Sequence, residues 1–128
     1  PIIGDDDGGR MLPHSSAKCE DFRATLSTAA VIFGRGDYKF VAGNFQEETL
    51  WMLGFEGWKT YENLRAFRPA KTSKSFQSGG YFVMRDGWDS TDNYLLIDSG
   101  NLGALSGGHS HADTLNIDLA AGGRTILV

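Results

Sequence analysis

Two histidines and an aspartate lie close together near the end of the chain, at His109, His111 and Asp113. Neutral imidazole is the commonest metal ligand in proteins, and imidazole is also the usual acid or base near neutral pH. In an extended backbone, alternate side chains share one face, so these three side chains would converge. The spacing therefore indicates part of a zinc site or an acid/base pair. Because a zinc site takes three or four protein ligands, further ligands must come from elsewhere in the fold.

The segment that leads to these residues is a long glycine-rich loop. The fifteen residues from Ser99 to Asp113 contain four glycines and no regular hydrophobic period. Loops of this length inside a compact domain are uncommon unless they carry a function. Residues 114–119 then alternate between polar and apolar side chains, which predicts a half-buried antiparallel strand.

Three further strands are predicted around this loop. Residues 81–85 and 93–98 have the composition of strands, and Asp86-Gly87 marks a turn between them. Gly122-Gly123 supplies a second turn, which leads into a strand over residues 124–128.

The first half of the chain is predicted to be helical. Apolar residues recur with a helical period from Phe22 to Phe33, which predicts a helix over about residues 18–33 that ends at Gly34. A short turn is expected from Asp37 to Phe40. Asn44 and Glu47 have the spacing of a capping box, which predicts a second helix through Leu53, ended by Gly54. The order of helices and then strands indicates an α+β chain.

Residues 57–78 have no regular period and contain five basic residues. Pro69 prevents a continuous helix here. We favour a solvated connector over a basic groove for an acidic polymer. Two aromatic residues in this stretch, Trp58 and Tyr61, would either stack on sugars or hold the connector in place.

The composition excludes several classes of partner. A formal net charge of −4 gives no overall basic field, so nucleic acid is not expected to bind. No apolar run approaches the length of a transmembrane helix, and no membrane partner is expected. The single cysteine, Cys19, excludes a disulfide within the chain. The chain begins at Pro1 and stops at Val128 within an apolar run, so we expect a piece of a longer protein.

Several segments together resemble the heparinase II/III-like polysaccharide lyases. The most specific is Gly-His-x-His-x-Asp-x-Leu, which occupies residues 108–115. The likeness extends in the right order over nearly the whole chain. Its weaker parts are the segments 4–10, 51–54, 80–85, 98–100 and 124–128.

This resemblance implies a fold and an activity. It implies that residues 1–70 are the C-terminal helices of an (α/α) toroid, and that residues 71–128 are the first strands of an antiparallel β-sandwich that is truncated here. It also implies cleavage of uronic-acid polysaccharides, such as heparan sulfate or alginate, by β-elimination. Such a lyase would have an acidic polysaccharide as its partner and would be periplasmic or secreted.

The resemblance also assigns roles to the three clustered residues. His109 matches the active-site histidine that lies against the substrate, and His111 matches a ligand of a structural zinc ion. Asp113 is expected to orient one imidazole, in a supporting role. The other zinc ligands, the tyrosine base and the residue that neutralises the uronate carboxylate have no match in the chain. The resemblance therefore implies that the isolated 128 residues are inactive and bind zinc poorly.

Two alternatives remain open from the residues alone. A metal-dependent hydrolase of the metallo-β-lactamase type also has His-x-His-x-Asp, but there a histidine follows the aspartate, where this chain has Thr114. That motif also follows an apolar strand, where this chain has residues 105–108, Leu-Ser-Gly-Gly. The second alternative is a non-catalytic carbohydrate-binding or structural β module, in which the histidines only form hydrogen bonds within the loop.

Overall fold

The computed structural model describes residues 21–101 and 115–127. Contacts divide these residues into a helical unit, which ends at Pro69, and a sheet unit, which begins at Ala70. The predicted α+β order is confirmed. The helices are α1 (Arg23–Phe33), α2 (Gly36–Ala42) and α3 (Glu47–Asn63), and the strands are β1 (Lys74–Phe76), β2 (Tyr81–Arg85), β3 (Tyr94–Asp98), β4 (Ile117–Ala121) and β5 (Arg124–Leu127).

Helix α1 starts later than the sequence pattern predicts. The carboxylate of Asp21 accepts a hydrogen bond from the backbone N–H of Arg23 at 3.1 Å, so it satisfies a free donor of the first turn. At the other end, Gly34 adopts a left-handed φ of 60°, and its N–H donates to the carbonyl of Ala30. The predicted end of the helix is therefore confirmed. The predicted residues 18–20 lie outside the described part of the chain.

The buried face of α1 confirms only part of the predicted apolar stripe. Ala30 of that stripe is fully buried, as is the polar Ser27, whereas Phe22 and Phe33 at its two ends are 63% and 69% exposed. Between α1 and α3, the hydroxyl groups of Thr28 and Thr49 are 3.0 Å apart. Small side chains let helix backbones approach closely, so this contact is formed by small and hydroxyl-bearing residues instead of the aromatic ones.

The predicted capping box of α3 is wrong. The N-cap residue is Gln46, without a side-chain cap, and Asn44 lies before the helix. The Gln46 side-chain amide donates to the Asn44 carbonyl at 2.9 Å, and the Gln46 N–H donates to the Ser27 hydroxyl at 3.3 Å. These bonds accompany an extended backbone at Gln46, so the first helical turn begins at Glu47.

Gly54 interrupts α3 but does not end it. Its φ of 64° and ψ of −166° are non-helical, so the chain bends where the sequence predicts a helix end. The helix then resumes and extends to Asn63. The prediction of an irregular connector over residues 57–78 is therefore wrong for residues 57–63. Helix α2 likewise extends to Ala42, beyond the turn predicted to end at Phe40.

The five strands form one antiparallel meander in the order β1-β2-β3-β4-β5. The predicted strands at 81–85, 93–98 and 124–128 are confirmed to within a residue over their described positions. Strand β4 begins at Ile117 instead of Thr114, and β1 lies in a segment that was predicted to be irregular. The register places Val83 opposite Leu96, and Leu96 opposite Asp118.

The register gives the sheet two different faces. One, the apolar face, is made of alternate residues of the three central strands: Phe82, Met84, Leu95, Ile97, Ile117 and Leu119. The other, which we call the polar face, carries Lys74, Arg85, Tyr94 and Asp118, together with Val83 and the buried side chain of Leu96. None of the described helices is long and apolar enough to cross a membrane.

Candidate functional site

The three clustered residues predicted to do chemistry, His109, His111 and Asp113, lie outside the described residues. The structure does describe the two chain segments that flank them. The chain leaves the sheet after β3 and is described again from Leu115, just before β4. The sheet end formed by β2, β3 and the start of β4 is therefore the frame to which the histidine segment is attached.

Hydrogen bonds fix the departing side of this frame. The backbone N–H and the hydroxyl of Ser99 both donate to the carbonyl of Gly80, at 2.9 and 3.0 Å. The N–H of Gly100 donates to Oδ1 of Asp98 at 2.9 Å. After β3, the chain is thus held by Ser99 to Gly80, which directly precedes β2, and by Gly100 to Asp98, the last residue of β3.

Two glycines allow this close approach. Gly80 has a φ of 75°, and a Cβ atom on it would clash with the backbone of Gly100. A Cβ atom on Gly100 would in turn lie 2.6 Å from the carbonyl oxygen of Gly79. Both positions therefore require glycine, for steric reasons that no local sequence pattern reveals.

The returning side of the frame is joined to the departing side through Asp98. Its backbone N–H donates to the carbonyl of Asn116 at 3.0 Å, while its carboxylate accepts from Gly100. Next to Asn116, Leu115 has a φ of 66° and is 73% exposed. A left-handed backbone costs a bulky residue about 1–2 kcal/mol, and such strain is concentrated at functional segments.

A second group of polar and aromatic side chains lies on the polar face. The Arg85 guanidinium carbon is 4.2 Å from the ring centroid of Trp88 and 5.4 Å from that of Tyr94. Burial raises the pKa of the Tyr94 hydroxyl; the charge of Asp118 raises it further, whereas that of Arg85 lowers it. Sequence reasoning missed this group, although arginine and tryptophan on either side of Asp86-Gly87 were a visible signal.

The structure packs Tyr61 of the helical unit into the core. Tyr61 is 1% exposed, and its hydroxyl donates to the Gly43 carbonyl at 2.7 Å. Its ring packs edge-on against Phe45, with the centroids 5.3 Å apart. Of the two roles considered for Tyr61, the structure supports packing over sugar stacking. Trp58, by contrast, is 40% exposed and stacks on Phe55 at 5.0 Å.

No metal site is formed by the part of the chain that the structure describes. Over residues 21–101 and 115–127, no group of three histidine, cysteine, aspartate or glutamate side chains lies close enough to hold a metal ion. All three histidines and Cys19 are outside these ranges. A single imidazole from His111 is too few ligands for zinc, so zinc binding stays a prediction.

The sequence of the sheet unit matches a known protein family. A family model described as "Heparinase II/III-like, C-terminal" matches residues 68–128. This range contains all five described strands and the three clustered residues. No curated protein sequence matches the chain.

Solved structures share the arrangement of helices and strands. The crystal structures of heparan sulfate lyase HepC from Pedobacter heparinus and of a HepC mutant each align with a TM-score of 0.53 and 18% identity. Each alignment covers 80% of this chain and 13% of the HepC chain. At this identity the likeness shows a shared fold, over a small part of the larger protein.

Proposed function

Because residues 68–128 belong to the heparinase II/III-like family, we propose that this chain is part of a polysaccharide lyase that cleaves uronate-containing polysaccharides by β-elimination. The observation that carries the proposal is the family match over the sheet and the histidine segment together. Heparan sulfate is the leading substrate, since the HepC structures with this fold are named for it. Alginate is the second candidate.

In the proposed reaction, a base removes the proton on the carbon next to the uronate carboxylate. The electron pair left on that carbon forms a carbon–carbon double bond to C4. The bond from C4 to the glycosidic oxygen breaks with its electron pair on the oxygen, and that oxygen takes up a proton. Negative charge builds on the carboxylate during proton removal, so donors placed beside it lower the barrier most. His109 lies against the substrate and assists charge neutralisation or proton transfer. The base itself is supplied from outside these 128 residues.

The frame at the sheet end supports this assignment. A histidine that must meet a substrate needs a backbone held in one position, because small displacements of catalytic groups are costly. Asp98 bonds to both flanking segments, which limits how far the ends of the histidine segment can separate. His111 is a ligand of a structural zinc ion, and Asp113 orients one of the two imidazoles. The remaining zinc ligands come from beyond the chain, and no step of the reaction uses the metal.

The apolar face of the sheet supports the proposed β-sandwich. Phe82, Met84 and Ile117 are 37%, 43% and 43% exposed, which leaves a contiguous apolar surface. Such surfaces are normally covered by another layer. A second sheet packed on this face would complete a sandwich, and the helical unit would be the end of an (α/α) toroid. A periplasmic or secreted location suits an enzyme that acts on an extracellular polysaccharide.

Ultraviolet absorbance tests the proposal directly, because elimination creates an unsaturated uronate that absorbs. The full-length protein that contains this sequence is incubated with heparan sulfate and, separately, with alginate. We expect absorbance to rise with one of them, and His109→Ala to slow the rise by about 100-fold or more. His14→Ala, which changes the one histidine outside the cluster, is the matched control.

Other outcomes would identify the alternatives. New reducing ends without ultraviolet absorbance would indicate hydrolysis, and would favour the metal-dependent hydrolase. Binding without cleavage of any uronate polymer would favour the non-catalytic module. Either result would overturn the lyase proposal.

A further inference from the structure

The Arg85 guanidinium on the polar face has no acidic partner among the residues that the structure describes. Its Nε atom is buried and has no hydrogen-bond partner in the structure, and none of the described carboxylates forms an ion pair with it. A buried donor without an acceptor is unfavourable, and most such groups in folded proteins are satisfied by a neighbour, a water molecule or a ligand. Nε itself is closed to solvent, but Arg85 is only half-buried, and no described residue accepts a hydrogen bond from its terminal nitrogens. These nitrogens can therefore receive an acceptor from outside the chain.

The nearest acidic residues in sequence are engaged in the turn between β2 and β3. Oδ1 of Asp86 accepts from the N–H of Asn93, and Oδ2 of Asp92 accepts from the N–H of Asp89, both at 2.7 Å. These bonds hold the turn closed and engage both carboxylates. None of the described carboxylates forms an ion pair with Arg85.

The aromatic partner of Arg85 is fixed as well. The indole Nε1 of Trp88 donates to the carbonyl of Lys71 at 3.1 Å, which holds the ring in place. Stacking on Trp88 restricts the guanidinium to one plane. A planar guanidinium presents paired donors that match the two oxygens of a carboxylate or the oxygens of a sulfate. Lys74 adds a second positive charge on the same face of the sheet, through its pairing with Val83.

We infer that Arg85 and Trp88 form a subsite that binds an anionic group of a sugar residue, either a uronate carboxylate or a sulfate. This inference rests on the proposed function, because it takes the bound molecule to be an acidic saccharide. Arg85 pairs with Tyr94 at one end of β2 and β3, and Tyr81 pairs with Asp98 at the other end, where the frame is. The two pairs are four residues apart along the strands. At about 3.3 Å per residue, the subsite lies about 13 Å from the frame. It therefore holds a sugar residue remote from the bond that is cleaved.

A remote subsite that binds the ground state and the transition state equally changes KM and leaves kcat unaltered. We expect Arg85→Gln in the full-length protein to raise KM for heparan sulfate oligosaccharides by about 10- to 100-fold, with kcat within about twofold, because a charged hydrogen bond to the substrate is lost. Arg85→Lys keeps the charge but loses the planar pair of donors, and should recover only part of the affinity. The matched control is Arg124→Gln, which removes an exposed arginine of β5.

Direct binding separates this inference from the proposed function. Calorimetric titration with the same oligosaccharides requires no turnover, so it reports on the subsite even if the protein is not a lyase. Thermal unfolding identifies any variant that fails to fold, and Arg85→Lys then takes the place of Arg85→Gln. Unchanged affinity in a folded Arg85 variant, or an equal loss in Arg124→Gln, would overturn the inference.

The chemistry of the bound group follows from the choice of saccharide. If the loss of affinity in Arg85→Gln occurs with both alginate and heparan sulfate oligosaccharides, the bound group is a carboxylate. If it occurs only with the sulfated saccharide, the bound group is a sulfate. Both results support the subsite, and they distinguish the two sources of negative charge.

Discussion

At the scale of single residues, glycine is required where two backbone segments of the sheet unit lie close together. Gly80 combines a left-handed φ with a neighbouring backbone that leaves no room for a Cβ atom. The segment that leads toward His109 bonds to the Gly80 carbonyl through Ser99. A change at Gly80 would therefore move the departing chain, even though residue 80 is distant in sequence from the histidines.

Gly80→Ala is expected to lower the free energy of unfolding by about 2–4 kcal/mol, since it adds a backbone clash to an unfavourable φ. Gly122→Ala is the matched control, because Gly122 has a φ of 57° but nothing within 4 Å of the added Cβ atom. It should cost only about 1 kcal/mol. Denaturant unfolding of both variants measures the difference, and equal losses would refute the close approach of Gly80 to Gly100.

Zinc content tests the role proposed for His111. Removing one of the imidazole ligands weakens a structural zinc site strongly, because each ligand supplies part of the binding free energy. Metal analysis of the full-length protein should show about one zinc per chain, lost in His111→Ala and retained in His14→Ala. Unchanged zinc in His111→Ala would remove this residue from the proposed ligands.

The buried hydroxyl of Tyr61 leads us to expect that the protein loses stability at alkaline pH. Burial raises the pKa of its hydroxyl, so the folded state favours the neutral phenol. The stability that the neutral Tyr61 hydroxyl contributes is fully present below the unfolded-state pKa of about 10. It is lost as the pH rises through the higher pKa of the folded state. Tyr61→Phe should lower the free energy of unfolding by about 1 kcal/mol at neutral pH, because the Gly43 carbonyl loses its hydrogen bond. It should also reduce the loss of stability that occurs as the pH rises. Denaturant unfolding between about pH 8 and pH 11 measures both effects, and Tyr94→Phe accounts for the second tyrosine whose pKa is raised.

At the scale of secondary-structure elements, the contact between α1 and α3 depends on buried hydroxyl groups. Thr49 is fully buried, and its hydroxyl lies 3.1 Å from the carbonyl of Ala24 and 3.0 Å from the hydroxyl of Thr28. Serine and threonine at such a position allow close packing while they satisfy polar groups between the helices. The sequence pattern concealed this, because the aromatic residues that set the apparent period of α1 are exposed.

Thr49→Val keeps the volume of the side chain but removes its hydrogen bonds. We expect it to lower the free energy of unfolding by about 1–3 kcal/mol, since polar groups of α1 then lose a partner in a buried place. Thr60→Val is the control: its hydroxyl bonds to the carbonyl of Glu56 within α3, at an exposed position. That change should stay within about 0.5 kcal/mol. Equal effects in denaturant unfolding would argue against a structural role for the interhelical bonds.

At the scale of the whole molecule, the apolar face predicts a further layer over the sheet. If a second sheet covers Ile117 in the full-length protein, Ile117→Asp would bury a carboxylate without a partner and cost about 3 kcal/mol or more. Thr125→Asp places the same charge on the polar face, where Thr125 pairs with Ala120, and should cost much less. Thermal unfolding of the two variants checks this. A small effect at both positions would show that the apolar face is open to solvent.

The sequence alone determined the order of helices and strands, because hydrophobic period, turn glycines and helix ends are local properties. It located the strands at 81–85, 93–98 and 124–128 for that reason, but it predicted a helix end at Gly54, where α3 only bends. It also singled out His109, His111 and Asp113 and their family resemblance, since a motif is a matter of residue type and spacing. Their chemical roles remain predictions.

Tertiary structure decided which residues pack and which are held close. It buried the polar Ser27 and left Phe22 and Phe33 exposed, because packing between helices depends on the shape of the partner surface. It brought Gly80 against Gly100 and stacked Arg85 on Trp88, through strand register and the geometry of a turn. These contacts depend on how the strands pair and how the turns fold in three dimensions, which the spacing of residues along the chain does not specify.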